Sequence, residues 1–156
     1  NFALWPIFQI IAALIFLRIP LKVFNPKKNI LKIRKFEKKG IFYERYFFIK
    51  KWKGKLPDGS KIFGKGFVKK NLLGSDYEYL STFIFETGRA EYTHLFAMLP
   101  APVFFIWNPW WAGIIMIIYA VIINVPCILA QRYNRARLEV ILINMRNKKL
   151  NPDNEF

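Results

Sequence analysis

A run of 21 residues without charge, from Trp110 to Ala130, constrains the fold of this chain most strongly. As a helix rising about 1.5 Å per residue, it is long enough to cross a hydrocarbon core of about 30 Å. Residues 1–17 also lack charge, yet the whole chain combines 54% hydrophobic residues with a net charge of +15. Apolar and charged residues must therefore lie in separate segments, which predicts an all-α integral membrane protein with a single domain over residues 1–156.

The distribution of charge predicts the orientation of the chain. Residues 18–85 contain 18 Lys and Arg against 5 Asp and Glu, whereas the connection 107–110 has no charge and two tryptophans, with a third at 111. Because positively charged loops stay on the cytoplasmic side, we expect a basic cytoplasmic loop over 18–85 and an outer aromatic turn at 107–110. The sequence thus predicts a multi-pass protein with about three transmembrane helices. These helices are expected over residues 2–17, 86–107 and 110–130, with a cytoplasmic tail over 131–156.

Within the basic loop, residues 36–52 combine many aromatic side chains with Lys and Arg. This composition predicts an amphipathic interfacial helix whose basic residues meet anionic lipid headgroups. A helix packed against the membrane spans is the alternative. The residues expected along one side of the helix are Phe36, Gly40, Tyr43, Phe47 and Lys51.

Turn and helix-breaking residues divide the rest of the chain. The sequence Leu-Pro-Asp-Gly at 56–59 predicts a turn, and the glycines and lysines of 60–75 predict an irregular basic loop. Pro100 and Pro102 are expected to kink the second span, and Pro126 the third, because proline removes a backbone donor from a helix.

The stretch Glu86 to His94 places ionisable residues directly before an apolar run and contains the only histidine of the chain. Glu86 with Arg89, and Glu91 with His94, have the i, i+3 spacing of residues that share one face of a helix. Ionisable groups at a membrane boundary are energetically costly, and that cost usually accompanies a functional site.

The short connection at Asn108 and Pro109 makes the second and third spans antiparallel neighbours. His94 and Asn124 are equally far from this turn, so we expect them at the same depth, about 21 Å from it. Here His94 is predicted to act as a general base, with Glu91 holding its tautomer. A purely structural hydrogen bond is the alternative role for His94. The side chains expected to complete the catalytic site are Glu86, Arg89, Asn124 and Gln131, the last three as possible donors to an oxyanion.

The segment 131–138 places three arginines within six residues at the predicted end of the third span. Guanidinium groups bind phosphate with paired hydrogen bonds, so this segment is predicted to bind a phosphorylated donor. A positively charged topology anchor explains the composition equally well. The predicted donor-binding residues are Gln131, Arg132, Asn134, Arg135 and Arg137.

Other site classes find little support in the sequence. Cys127 is the only cysteine, so an intramolecular disulfide is excluded, and without a Cys or His cluster no metal site and no cofactor are expected. The basic residues carry no nucleic-acid-binding motif, and most of them share one loop between apolar segments. Membrane lipids are the partners that the basic loop and the apolar segments indicate. The sequence leaves the oligomeric state open.

A series of short motifs, in the same order over most of the chain, resembles the glycosyl-diaponeurosporenoate acyltransferases of staphyloxanthin-type carotenoid biosynthesis. Two features depart from the family pattern: Ala136 stands where proline is expected, and residues 60–79 match poorly. The motifs are Arg18-Ile19-Pro20, Phe36-Glu37-Lys38-Lys39-Gly40 with Phe42, Lys51-Trp52-Lys53 with Leu56-Pro57-Asp58-Gly59, Glu86-Thr87 with Arg89-Ala90-Glu91 and His94, Asn124-Val125-Pro126, and Gln131-Arg132-Tyr133-Asn134-Arg135 with Arg137-Leu138.

The resemblance implies a bacterial cell-membrane enzyme that moves a fatty acyl chain onto a sugar hydroxyl of a glycosylated carotenoid or related glycolipid. Acyl-CoA is the expected kind of thioester donor. Transfer to another hydroxylated lipid is an enzymatic alternative. A non-catalytic membrane protein that binds anionic lipid or recruits a partner enzyme is the alternative from another class.

Overall fold

The computed structural model describes residues 4–26, 29–56 and 76–150. This part of the chain folds into α-helices and short 3₁₀-helices without a strand, which confirms the all-α class. The predicted turn at 56–59, apart from Leu56, and the loop at 60–75 lie outside the described residues. The α-helices are α1 (Leu4–Arg18), α2 (Ile41–Phe47), α3 (Ile49–Trp52), α4 (Tyr77–Met98) and α5 (Trp110–Leu150).

Helix α5 contains the apolar run and continues beyond it. Within the described residues it is the one helix long and apolar enough to cross a membrane, and α1 is apolar but only 15 residues long. The predicted end of this span at residue 130 does not coincide with a helix end, because α5 runs through Pro126 and on to Leu150. One membrane-helix candidate is therefore present, and the arrangement of three spans stays a prediction.

Helix α4 begins at a side-chain cap, since the Asp76 carboxylate accepts a hydrogen bond from the backbone N–H of Tyr79 at 3.0 Å. It ends at Met98, two residues before Pro100, and a 3₁₀-helix over Ala101–Ile106 follows. The predicted second span is thus two helical pieces, because proline lacks the N–H that would continue α4. A kink was expected in this region, and the structure shows a full break of the α-helix instead.

The helices pack as an antiparallel α4–α5 hairpin, with α1 against α4. Near the connection, Trp5 of α1 lies among Phe104, Met116 and Ala120 in an apolar cluster. At this end the three tryptophans of 107–111 are exposed, as expected for an aromatic belt.

Residues 29–56 pack against the other end of the hairpin. Tyr43 and Ile49 bury their side chains against Ala130 and Tyr133 of α5. Burial of Phe24 and Leu31 against α4 depends on Gly88, because a Cβ atom there would lie 2.9 Å from the Leu31 side chain.

The helix predicted over residues 36–52 is not continuous. Gly40 and Phe48 adopt left-handed backbone conformations, with φ of 95° and 48°, and each of them precedes a new short helix. The prediction that these residues share one side of a helix is also wrong. Gly40 and Tyr43 are buried, while Phe36 and Phe47 are exposed. This segment therefore packs against α5 with one side and leaves aromatic rings exposed on the other.

Candidate active site

The predicted meeting of His94 and Asn124 is confirmed as geometry. The His94 Nδ1 atom on α4 lies 3.0 Å from the Asn124 Oδ1 atom on α5. His94 is half-buried, and Asn124 is fully buried. A short connection between antiparallel helices brings equally distant residues to one depth, which is why the sequence could place this pair.

The bonds of Asn124 fix the tautomer of His94. The Asn124 side-chain amide donates from Nδ2 to the Ala120 carbonyl at 2.9 Å, so its Oδ1 atom faces the imidazole as an acceptor. The Nδ1 atom of His94 must then be the donor, and a neutral imidazole with a proton on Nδ1 has its lone pair on Nε2. This arrangement gives a half-buried base whose orientation is set by a neighbouring amide.

The pairing of Glu91 with His94 stays a prediction, and the bonds that the structure gives Glu91 go to other residues. The Glu91 carboxylate instead accepts hydrogen bonds from two arginines of α5, from Arg132 Nη1 at 2.8 Å and from Arg135 Nη2. A charged bond to a guanidinium is stronger than one to a neutral imidazole, so the arginines take both carboxylate oxygens. Any catalytic role of Glu91 stays a prediction.

Arg132 joins three parts of the chain. Its guanidinium donates to Glu91 on α4 and to both carboxylate oxygens of Glu37 in the loop, at 2.9 and 3.1 Å. Together with backbone carbonyls these acceptors engage all five N–H groups that an arginine possesses. The remaining acceptors are the Ile30 and Lys32 carbonyls, with the Tyr43 hydroxyl as a second partner of Nε.

Glu37, Glu91, Arg132 and Arg135 form one buried cluster, here called the ion network. Glu37, Glu91 and Arg135 are nearly inaccessible to solvent, at 0, 1 and 0% exposure. Two carboxylates balance two guanidiniums, so the network brings no net charge into the interior. Removing one member of such a buried cluster leaves an uncompensated charge and costs about 3–5 kcal/mol.

Ionised Glu37 is favoured by its bonding partners. Burial raises the pKa of Glu37. Hydrogen bonds from Arg132, Tyr43 and the Arg34 backbone lower this pKa by more than burial raises it, so the net shift is downward. Burial and the neighbouring Glu37 carboxylate raise the pKa of Tyr43, which therefore stays a neutral hydrogen-bond donor. The loop thus presents a charged acceptor to α5 at neutral pH.

Glu86 and Arg89 form a third polar group, separate from His94. Arg89 Nη2 donates to the Glu86 carboxylate, as their i, i+3 spacing predicted. Five residues along a helix correspond to a rotation of about 140°, so Arg89 and His94 lie on different faces of α4. The structure therefore does not bring Arg89 to the His94–Asn124 pair.

The other residues predicted on α5 differ in what they contact. The Gln131 Oε1 atom is buried and accepts no hydrogen bond from the described residues. The Asn134 Oδ1 atom accepts from Lys53 Nζ at 2.9 Å. Arg137 is exposed, and its aliphatic stem lies against Gly40. Binding of a donor by these residues remains a prediction.

Sequence reasoning missed the residues that the loop contributes. Glu37 and Tyr43 bond to Arg132 across 95 and 89 positions, and Thr87 lies 3.4 Å from Arg135 across 48. Glu37 carried one usable signal, because it is an isolated acid in a basic run. Nothing in its local spacing indicated which arginine it would meet.

Comparison with known proteins gives consistent matches. The family described as glycosyl-4,4'-diaponeurosporenoate acyltransferase matches residues 26–144. A protein of that name from Staphylococcus aureus strain MRSA252 is 39% identical over 138 residues, which cover 88% of this chain and 83% of the relative. Its counterpart from strain Newman is 38% identical over 144 residues, covering 92% and 87%. No solved structure gives a significant match.

Proposed function

This chain belongs to the glycosyl-4,4'-diaponeurosporenoate acyltransferase family, and we propose that it transfers a fatty acyl chain from a thioester to a sugar hydroxyl of a glycosylated carotenoid. Family membership makes the chain an acyltransferase. The relatives' name supports the glycosylated acceptor. The observation that carries the proposed chemistry is the contact between His94 Nδ1 and Asn124 Oδ1 at 3.0 Å.

In the proposed reaction, His94 acts as the general base. Its Nε2 atom takes the proton of the sugar hydroxyl while the hydroxyl oxygen attacks the acyl carbonyl. The C–S bond then breaks, and the proton on the imidazolium goes to the leaving thiolate, which gives an ester and a free thiol. Asn124 positions the ring throughout, because its Oδ1 atom holds the Nδ1 proton in place.

Direct attack by the sugar is favoured over a covalent acyl-enzyme. Ser81 is thirteen residues before His94 on the same helix, about 20 Å away along its axis. Cys127 donates its thiol to the Ile123 carbonyl at 3.7 Å. Ser81 is too distant to act with His94, and the Cys127 thiol is engaged with the backbone, so a positioned base acting on the acceptor is the simpler mechanism.

Gln131 is proposed to contact the acceptor sugar. It lies seven residues after Asn124, on the same face of α5 and about 10 Å further along the helix. Its buried Oε1 atom has no donor among the described residues, and leaving a buried carbonyl oxygen unbonded is unfavourable by about 1–3 kcal/mol. A sugar hydroxyl would supply the missing donor.

We further propose that α1, α4 with the following 3₁₀-helix, and α5 each cross the membrane, with residues 18–85 on the cytoplasmic side. Large apolar side chains of α5 are exposed, including Ile114, Ile118 and Ile122, which suits contact with lipid. Single cysteines introduced by Lys55→Cys or Asn108→Cys, each with Cys127→Ser, test the topology. An impermeant reagent added outside should label position 108 only. Labelling of position 55 alone would show that the topology is the reverse of the proposed one.

The test of the activity uses purified protein in lipid vesicles, an isotope-labelled acyl-CoA and a panel of acceptors. The panel contains a glycosylated carotenoid, its sugar-free form and a simple glycolipid. Labelled ester on the glycosylated carotenoid, detected by mass spectrometry and absent with His94→Gln, is the expected result. Transfer only to the sugar-free or simple lipid would refute the proposed acceptor.

A further inference from the structure

Of the three arginines between residues 132 and 137, two already have buried partners. Arg132 uses all of its N–H groups on protein acceptors, and Arg135 is fully buried against Glu91. A phosphate could reach them only by displacing a carboxylate. The anion-binding capacity of this end of the hairpin must therefore lie with other cations.

Arg137 is such a cation. It is exposed, and its guanidinium forms no hydrogen bond or ion pair with the described residues. Its stem is held in place by close packing, since a Cβ atom on Gly40 would lie 3.1 Å from the Arg137 Cδ atom. Gly40 has a φ of 95°, which favours glycine for a second, independent reason. The fold thus positions the guanidinium while leaving its donors available.

Lys53 lies beside Arg137 in a fixed position. Its Nζ atom donates to Asn134 Oδ1 at 2.9 Å and lies 4.7 Å from the centre of the Tyr133 ring. An ammonium group has three donors, so this one bond leaves two of them for a ligand. Burial lowers the pKa of Lys53, and the nearby charges of Arg137 and Lys50 lower it further.

The local charge balance is positive. Glu44 is the acid in this group, and it is already bonded to Lys50 Nζ at 2.8 Å and to the Tyr133 hydroxyl at 2.9 Å. Lys50, Lys53 and Arg137 then face one carboxylate, which leaves an excess of two positive charges. An anionic phosphate group would neutralise part or all of this excess, since a phosphodiester carries one negative charge and a diphosphate diester carries two.

We propose that Lys53, Asn134 and Arg137 form a binding site for the phosphate of a phosphopantetheine thioester, the donor of the reaction. This inference rests on the proposed function, since it identifies the donor of that reaction by its phosphate. Asn134 follows Asn124 by ten residues, about 15 Å along α5. The arm between phosphate and sulfur has about thirteen bonds and spans about 15 Å when extended, by the dimensions of a polypeptide chain. A phosphate bound here therefore places the thioester near His94.

Two donors share this chemistry, coenzyme A and an acyl carrier protein with its attached phosphopantetheine. Binding is measured first, without any need for turnover, by calorimetry with 4'-phosphopantetheine and with pantetheine, which lacks the phosphate. The wild type should bind the phosphorylated compound about ten- to a hundredfold more tightly, as expected for charge-assisted hydrogen bonds.

The test variant is Lys53→Gln with Arg137→Gln. The matched control is Lys55→Gln with Arg146→Gln, which also removes one charge from the 3₁₀-helix Lys53–Lys55 and one from α5, both at exposed positions. The test variant should lose the preference for the phosphorylated compound, and the control should keep it. Equal preference in both variants, or no preference in the wild type, overturns the proposal. Because this readout needs no turnover, it separates a failed phosphate site from a failed acyl-transfer function.

Kinetics then identify the source of the phosphate. With acyl-CoA, acylated acyl carrier protein and acyl-pantetheine as donors, the test variant should show a raised KM for a phosphorylated donor and unchanged use of acyl-pantetheine. A change with acyl-CoA identifies the coenzyme, and a change confined to the acyl carrier protein identifies the carrier. Unchanged KM for both phosphorylated donors contradicts the site.

Discussion

Two polar clusters lie between α4 and α5, and they differ in how fully their groups are bonded. The ion network is buried, electrically balanced and bonded through every N–H of Arg132. The other cluster is the contact of His94 Nδ1 with Asn124 Oδ1 at 3.0 Å, and its histidine is half-buried. A cluster of balanced charges can thus be structural, while one imidazole oriented by a neighbouring amide has the chemical capacity that the proposed acyl transfer requires.

Replacing His94 should produce the largest effect of any single change. His94→Gln keeps a polar side chain but removes the proton acceptor, so the rate per folded molecule should fall about 10²- to 10⁴-fold. Thermal stability in detergent should change little. A folded variant that retains more than about a tenth of the wild-type kcat would contradict the role of His94 as a base.

Replacing Arg135 should lower the stability of the protein and leave its activity per folded molecule nearly unchanged, which is the reverse of the result expected for His94→Gln. Arg135→Met fills similar space but leaves Glu91 with one partner instead of two, and the free energy of unfolding should fall by about 3–5 kcal/mol. Arg137→Met is the matched control, because Arg137 is exposed and its loss should change stability by about 0.5 kcal/mol or less. The free energy of unfolding of both variants, measured by denaturation in detergent, tests this prediction.

Equal stability losses in the two arginine variants would show that the ion network is not the stabilising cluster. Activity per folded molecule provides the second measurement. Arg135→Met should keep the wild-type value within a few-fold wherever the protein is folded, since its role is structural. A loss of activity as large as that of His94→Gln would indicate that Arg135 takes part in the reaction. The two clusters would then not differ in function.

Replacing Asn124 should give an intermediate effect on the reaction. Asn124→Ala removes the acceptor that orients His94 but leaves the base itself, so kcat should fall about tenfold, corresponding to one hydrogen bond. The KM for the donor should stay constant because Asn124 acts through His94. A raised donor KM with normal kcat would instead indicate that Asn124 contacts substrate.

The smallest effect concerns the acid end of the stability profile. The folded protein lowers the pKa of Glu37 below its ordinary value of 4.5, so its stabilising contribution is present above that value and is lost as the pH falls through the lowered pKa. The stability difference between wild type and Glu37→Gln should therefore be constant near neutral pH and shrink below pH 4.5. Glu78→Gln, at an exposed position, is the control that should show no such change. A difference independent of pH would remove Glu37 from the ion network.

The His94–Asn124 contact could be predicted because helical rise and a short connection fix the depth of every residue in a hairpin. The partners of Glu91 could not be predicted in this way. Arginine side chains are long and reach across several turns, so Glu91 on α4 bonds to Arg132 and Arg135 on α5, which its local spacing did not indicate. Local spacing indicates which residues share a face, but charge strength decides which partners they take.

The broken interfacial segment shows the same limit. Its aromatic and basic composition indicated contact with a surface, and the exposed Phe36 and Phe47 agree with that expectation. The breaks at Gly40 and Phe48 arise where the backbone turns to bury Tyr43 and Ile49 against α5. Tertiary packing therefore overrode a helical period that the sequence alone suggested.

The sequence by itself determined the all-α class, the apolar helix from Trp110 and the level at which His94 meets Asn124, because length, composition and helical rise are properties of local segments. Only the tertiary structure decided that Glu37 bonds to Arg132, 95 positions away in the sequence, and that Arg137 is left exposed. The physical reason is that a buried charge needs a partner of opposite sign wherever the folded chain supplies one, and sequence distance does not enter that requirement.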